Sequence, residues 1–120
     1  MARVLALVPD LLFGSRVQGS LIAGGHEVEL LGDEAKLRER LPAGEVLVID
    51  MTDASLDGAS LREALAAEGL MDGVASLAFY SHVDVDTGAR AREAGFDLVV
   101  PRSRMAREGA ALVTRLAERG

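Results

Sequence analysis

The 120-residue chain contains no cysteine and no tryptophan, one tyrosine, three phenylalanines, and a single lysine, Lys36, among 13 basic residues. Without cysteine, disulfides and thiolate metal sites are excluded, and a reducing interior is compatible. With so few aromatics a base-stacking platform is not expected. The net charge of −6 argues against a nucleic-acid grip by this domain alone, because phosphate contacts dominate such affinity. No segment approaches the ~20 apolar residues of a membrane span. Met1-Ala2-Arg3 leads straight into a strand pattern rather than a signal peptide, so the expected location is cytoplasmic. What is present is ordinary for a globular protein: 49% apolar and 27% charged residues, in a length suited to one core. The expectation is a single stand-alone domain over residues 1–120.

Five apolar runs read as strands: Arg3–Val8, Glu27–Leu31, Glu45–Ile49, Val74–Phe79 and Phe96–Val100. The third and fifth are nearly unbroken, as in strands buried on both faces. Between them lie helical patterns. Val17 and Leu21 lie four apart ahead of a Gly24-Gly25 stop. Asp33 opens a second helix that carries Leu37 and Leu41 and ends against Pro42. Ser60 and Glu63 have capping-box spacing before Leu61 and Leu65. A fourth helix, rich in Ala and Arg, follows Asp84 and Asp86, stops at Gly95 and is expected to pack lightly. A fifth starts near Ser103 and turns Leu112 and Leu116 inward. Strict βα alternation predicts an α/β fold: a doubly wound, five-stranded parallel sheet of order 2-1-3-4-5, with five helices in a three-layer α/β/α sandwich.

In that topology the carboxyl ends of the strands form a crevice. They carry Pro9-Asp10, Asp50-Met51-Thr52-Asp53, Tyr80-Ser81-His82 and Pro101-Arg102-Ser103. Acids, a hydroxyl and a cation converging there would suit a phosphoryl group and an oxygen-liganded Mg²⁺.

With Asp50 closing Val46-Leu47-Val48-Ile49, Tyr80 lying 30 residues on and Arg102 lying 52 on, the chain resembles the receiver domain of two-component response regulators over essentially its full length. The run Ala91-Arg92-Glu93-Ala94-Gly95-Phe96-Asp97 resembles the approach to a receiver's fifth strand. The resemblance implies Asp50 as phosphoacceptor, Mg²⁺ held by Asp10, Asp50 and the Thr52 carbonyl, and phosphate contacts from Tyr80 or Ser81 and from Arg102. It also implies a protein partner, a histidine kinase or a downstream signalling protein, and leaves a homodimer open.

Several residues depart from the family pattern. Pro9-Asp10 replaces an acidic pair, and Tyr80 stands at the hydroxyl position with Ser81 beside it. Arg102, preceded by Pro101, replaces a lysine, and a planar guanidinium is not equivalent to a compact ammonium. Val99 stands where receivers often carry an aromatic switch. Each residue also has a plainer reading. Asp10 or Asp50 would be a helix or turn cap, Asp53 a turn residue, and Tyr80 a half-buried ring. His82 has no partner histidine or cysteine, and His26 is read as a surface residue. Arg102 and Arg104 around Ser103, and Ser15-Arg16 at a helix start, are candidate anion contacts. No Gly-x-Gly-x-x-Gly, Walker, flavin-phosphate or cobalamin loop is present. Three functions therefore stand side by side: a phosphorelay receiver, a phosphorylation-independent pseudo-receiver acting by protein contact, and a flavodoxin-like module for a small ligand.

Overall fold

A computed structural model describes residues 2–52, 55–81 and 83–119. Asp53 and His82 lie outside the described residues. The strands are β1 (Arg3–Leu7), β2 (Glu27–Leu31), β3 (Val46–Asp50), β4 (Ala75–Tyr80) and β5 (Leu98–Pro101). The helices are α1 (Leu11–Ala23), α2 (Glu34–Arg40), α3 (Gly58–Ala67), α4 (Val85–Glu93) and α5 (Arg102–Arg119), and a 3-10 turn at Leu41–Ala43 follows α2. The strands pair in parallel in the order β2-β1-β3-β4-β5, as the βα alternation predicts.

Side-chain alternation along each strand divides the core into two layers. Val4, Ala6, Val46, Val48, Leu77, Phe79 and Val100 face α1 and α5, where Val17, Leu21, Met105 and Leu112 meet them. Leu5, Leu7, Leu47, Ile49 and Ala78 face the opposite layer with Leu37, Leu61, Leu65 and Ala91. The sheet reverses its winding between β1 and β3, which opens the crevice beside Asp10 and Asp50. As expected, α4 packs on small residues, burying Gly88 and Ala91.

Some boundaries differ from the sequence pattern. The cap of α3 is Asp57 rather than Ser60: its carboxylate accepts from the Ser60 N–H at 3.1 Å and the Ser60 hydroxyl at 2.8 Å. Ser60 is therefore inside the first turn, and the Ser60/Glu63 spacing does not mark the helix start. β5 begins at Leu98 because Gly95 turns the chain at φ +98°. Phe96 then packs into the α3–α4 layer. Asp97 accepts from the backbone N–H of Ser76 at 2.7 Å, fastening the start of β5 to the start of β4.

His26 is not a surface residue: it is 5% exposed. Its Nδ1 accepts from the Ala2 N–H at 3.0 Å, and its Nε2 lies 3.0 Å from the Thr114 hydroxyl and 3.2 Å from the Ala110 carbonyl. An acceptor role at Nδ1 leaves the proton on Nε2, where both partners are acceptors. A polar ring is tolerated there because each nitrogen has a partner.

Candidate functional site

The crevice is built from the residues that end β1, β3 and β4 and begin α5. Asp50 is the last residue of β3 and lies opposite Phe79 of β4. It is 1% exposed and belongs by alternation to the α1/α5 side of the sheet. Its Oδ1 accepts from the Thr52 N–H at 2.7 Å and from the Thr52 hydroxyl at 2.6 Å. This turn holds the carboxylate in place and satisfies a polar group that burial would otherwise penalise.

Asp10 caps α1. Its Oδ1 accepts from the N–H groups of Leu12 at 3.0 Å and Phe13 at 3.2 Å. A carboxylate suits this place, since the first turn of a helix presents unpaired N–H groups and a positive dipole end. The other oxygen, Oδ2, lies 3.6 Å from Nη2 of Arg102. Both side chains remain more than 40% exposed, so the pair is a weak surface interaction in energy. It nevertheless brings the cation beside the α1 cap.

Arg102 follows directly on Pro101 at the β5–α5 junction. Its guanidinium carbon lies 3.8 Å from the centre of the Phe13 ring. Phe13 in turn meets Phe79 with ring centroids 5.3 Å apart, tilted by 55°. The cation thus rests on an aromatic pair that reaches into the core beside Asp50.

The two hydroxyl candidates separate. Ser81 lines an open cavity of about 560 Å³ together with Phe13, Thr52, Arg102, Ser103 and Ala106. Tyr80 does not line it. Its ring lies against α4, where a Cβ added to Gly88 would stand 2.8 Å from the ring carbon Cζ. A one-residue step along a strand reverses the side chain, so the two neighbours serve opposite layers.

Other sequence candidates disperse. Ser15 and Arg16 lie within α1, which starts at Leu11, so they are not at a helix start. Arg16 instead borders a smaller cavity of about 130 Å³ with Val17, Leu21 and Met105. Arg104 pairs with Glu108 one turn along α5, at 3.4 Å, rather than joining Arg102. Ser103 lines the cavity with Arg102, as its place in the Pro101-Arg102-Ser103 segment leads one to expect, whereas Phe13 is the addition that sequence reasoning missed as a site residue. Phe13 carried one usable signal, an aromatic three residues after a capping acid.

Mg²⁺ fits the described residues poorly. Among them no group of three or more His, Asp or Glu side chains could hold a metal ion. Asp10 is committed through both oxygens, one to the helix cap and one to Arg102. A fixed guanidinium beside a carboxylate opposes a second cation there.

No protein-family model and no curated protein matches the chain. Solved structures do. The receiver domain of the Francisella response regulator 1452 is 17% identical at a TM-score of 0.84, covering 99% of this chain and 98% of that one. The receiver domain of the TMAO respiratory system response regulator TorR is 20% identical at 0.84, with coverages of 99% and 98%. A response regulator receiver domain protein from Clostridium thermocellum is 17% identical at 0.83, covering 99% and 96%. At these identities the likeness speaks for architecture: the chain has the fold of response-regulator receiver domains.

Proposed function

We propose that the chain is a receiver-fold signalling module that works by protein–protein contact, independently of phosphorylation at Asp50. The observation that carries this reading is the state of Asp50. Its carboxylate is buried, and its Oδ1 is taken by both the backbone and the hydroxyl of Thr52. A nucleophilic acceptor needs an open approach to the phosphoryl group in line with its oxygen. The arrangement around Asp10 supports the same reading, because Arg102 stands where a second counter-charge would be needed. Mg²⁺ is accordingly not part of the proposed function. The partner is a protein, either a histidine kinase or a downstream signalling protein, and the proposed setting is cytoplasmic. No described helix is long and apolar enough to cross a membrane.

A phosphorelay receiver is the second reading, favoured by one observation. Thr52, Ser81, Ser103 and Arg102 surround one open cavity, and hydroxyls with a guanidinium are suitable contacts for a phosphoryl group. One experiment separates the two. The full chain is treated with Mg²⁺ and beryllofluoride or acetyl phosphate, and the amides of Asp50, Met51 and Thr52 are followed by NMR. The expected outcome is no saturable change, with Asp50→Asn indistinguishable from wild type in partner capture. Stoichiometric modification of Asp50 would sink the phosphorylation-independent reading.

A further inference from the structure

We infer that the Arg102 guanidinium acts as a tethered cation that closes the Asp10–Asp50 corner to divalent metal. This deepens the phosphorylation-independent reading and rests on it for the engaged state of Asp50.

Three independent constraints hold the guanidinium in place. Its backbone is fixed because Pro101 pairs with Tyr80 at the end of the sheet and α5 begins at the next residue. Its central carbon lies over Phe13, a ring only 7% exposed and itself packed on Phe79. Its Nη2 is directed to Asp10 Oδ2. A guanidinium is the cationic side chain least ready to give up its charge in a protein. Asp50 closes β3, and Asp10 follows the neighbouring strand β1 as the N-cap of α1. Two acids in that position would attract a hard, oxygen-seeking cation if nothing else balanced them. Here one of them already faces a positive charge, and its second oxygen is occupied by the amides of α1. The same contact that positions Arg102 therefore removes half of the negative charge a metal would use.

The test is a Mg²⁺ titration of the full chain, with the amides of Leu11, Leu12, Met51 and Thr52 as reporters. Wild type is expected to show no saturable shift at millimolar Mg²⁺. Arg102→Gln is expected to bind saturably, at least about tenfold more tightly than wild type, as loss of one neighbouring unit charge predicts. The double variant Arg102→Gln/Asp10→Asn is expected to lose that gain. Arg102→Met keeps an apolar stem over Phe13 and gives the same readout should the Gln variant unfold. Saturable binding by wild type, or no gain in either Arg102 variant, overturns the inference. Acetyl phosphate labelling tells the two proposals apart. Labelled wild-type Asp50 without metal saturation overturns the phosphorylation-independent reading and leaves the tethered cation standing. Metal saturation without labelling overturns the tethered cation alone.

Discussion

Arg102 lies over the Phe13 ring, with its guanidinium carbon 3.8 Å from the ring centre. The contact joins the first residue of α5 to the first turn of α1 at the mouth of the crevice. It gives the cation a fixed position that its exposed ion pair with Asp10 could not give by itself.

Phe13→Leu is expected to destabilise the fold by about 1–2 kcal/mol, through loss of the Phe79 contact and of the cation–π stack. Urea unfolding of Phe13→Leu, Arg102→Met and the double variant should return a coupling of roughly 0.5–1 kcal/mol. A coupling of zero would mean that the stack has no energetic content.

His26→Ala is expected to cost about 2–3 kcal/mol, because it strands the buried N–H of Ala2 as well as leaving a void. Thr114→Val removes one neutral partner of the ring and should cost roughly 1 kcal/mol. Denaturant midpoints check both, and equal effects would contradict the assigned tautomer network.

Gly88→Ala carries a conflict of sign. In an exposed helix interior the change stabilises by about 1 kcal/mol. Here the new methyl would meet the Tyr80 ring at 2.8 Å, so a net loss of about 1–3 kcal/mol is expected. Adding Tyr80→Ala should restore the ordinary helix gain, and thermal unfolding of the double variant decides it.

The acid limb of the stability profile should depend on two helix caps. Hydrogen bonds from the Ser60 backbone and then its hydroxyl hold Asp57 below its ordinary carboxylate range. The Thr87 hydroxyl and then its backbone N–H do the same for Asp84. A carboxylate whose pKa is lowered by folding contributes stability that is present above its unfolded pKa. That stability is lost as pH falls through the folded value, here below about pH 4. Asp57→Asn/Asp84→Asn keeps capping oxygens but not the charge. Its urea midpoint should therefore change less than that of wild type as the pH is lowered.

The sheet was legible in the sequence because its strands are long apolar runs whose order follows from βα alternation. Asp33 was legible as the opening of a helix because it directly precedes a helical pattern, whereas of Asp84 and Asp86 only the first lies outside α4, as its cap. Asp57 was hidden by Ser60, a residue of equal capping propensity that the helix instead absorbs into its first turn. Ser81 and Tyr80 could not be separated by counting, since the side each one faces depends on where β4 ends. The stack of Arg102 on Phe13 joins residues from α1 and α5, and the role of His26 depends on α5. No local pattern of spacing carries such contacts.

The His26 ring also bears on the order of assembly. Among these elements β1 leaves the ribosome first and α5 last, and the imidazole spans 84 and 88 residues to reach Ala110 and Thr114. The α1 side of the sheet lacks its second helix until that span closes, while the α2–α4 side gathers its helices from nearer segments. Loop-closure entropy then falls most heavily on one late step. The two halves of the core thus differ in the chain separation they must close, and the half with the longer span is the one that holds Asp50.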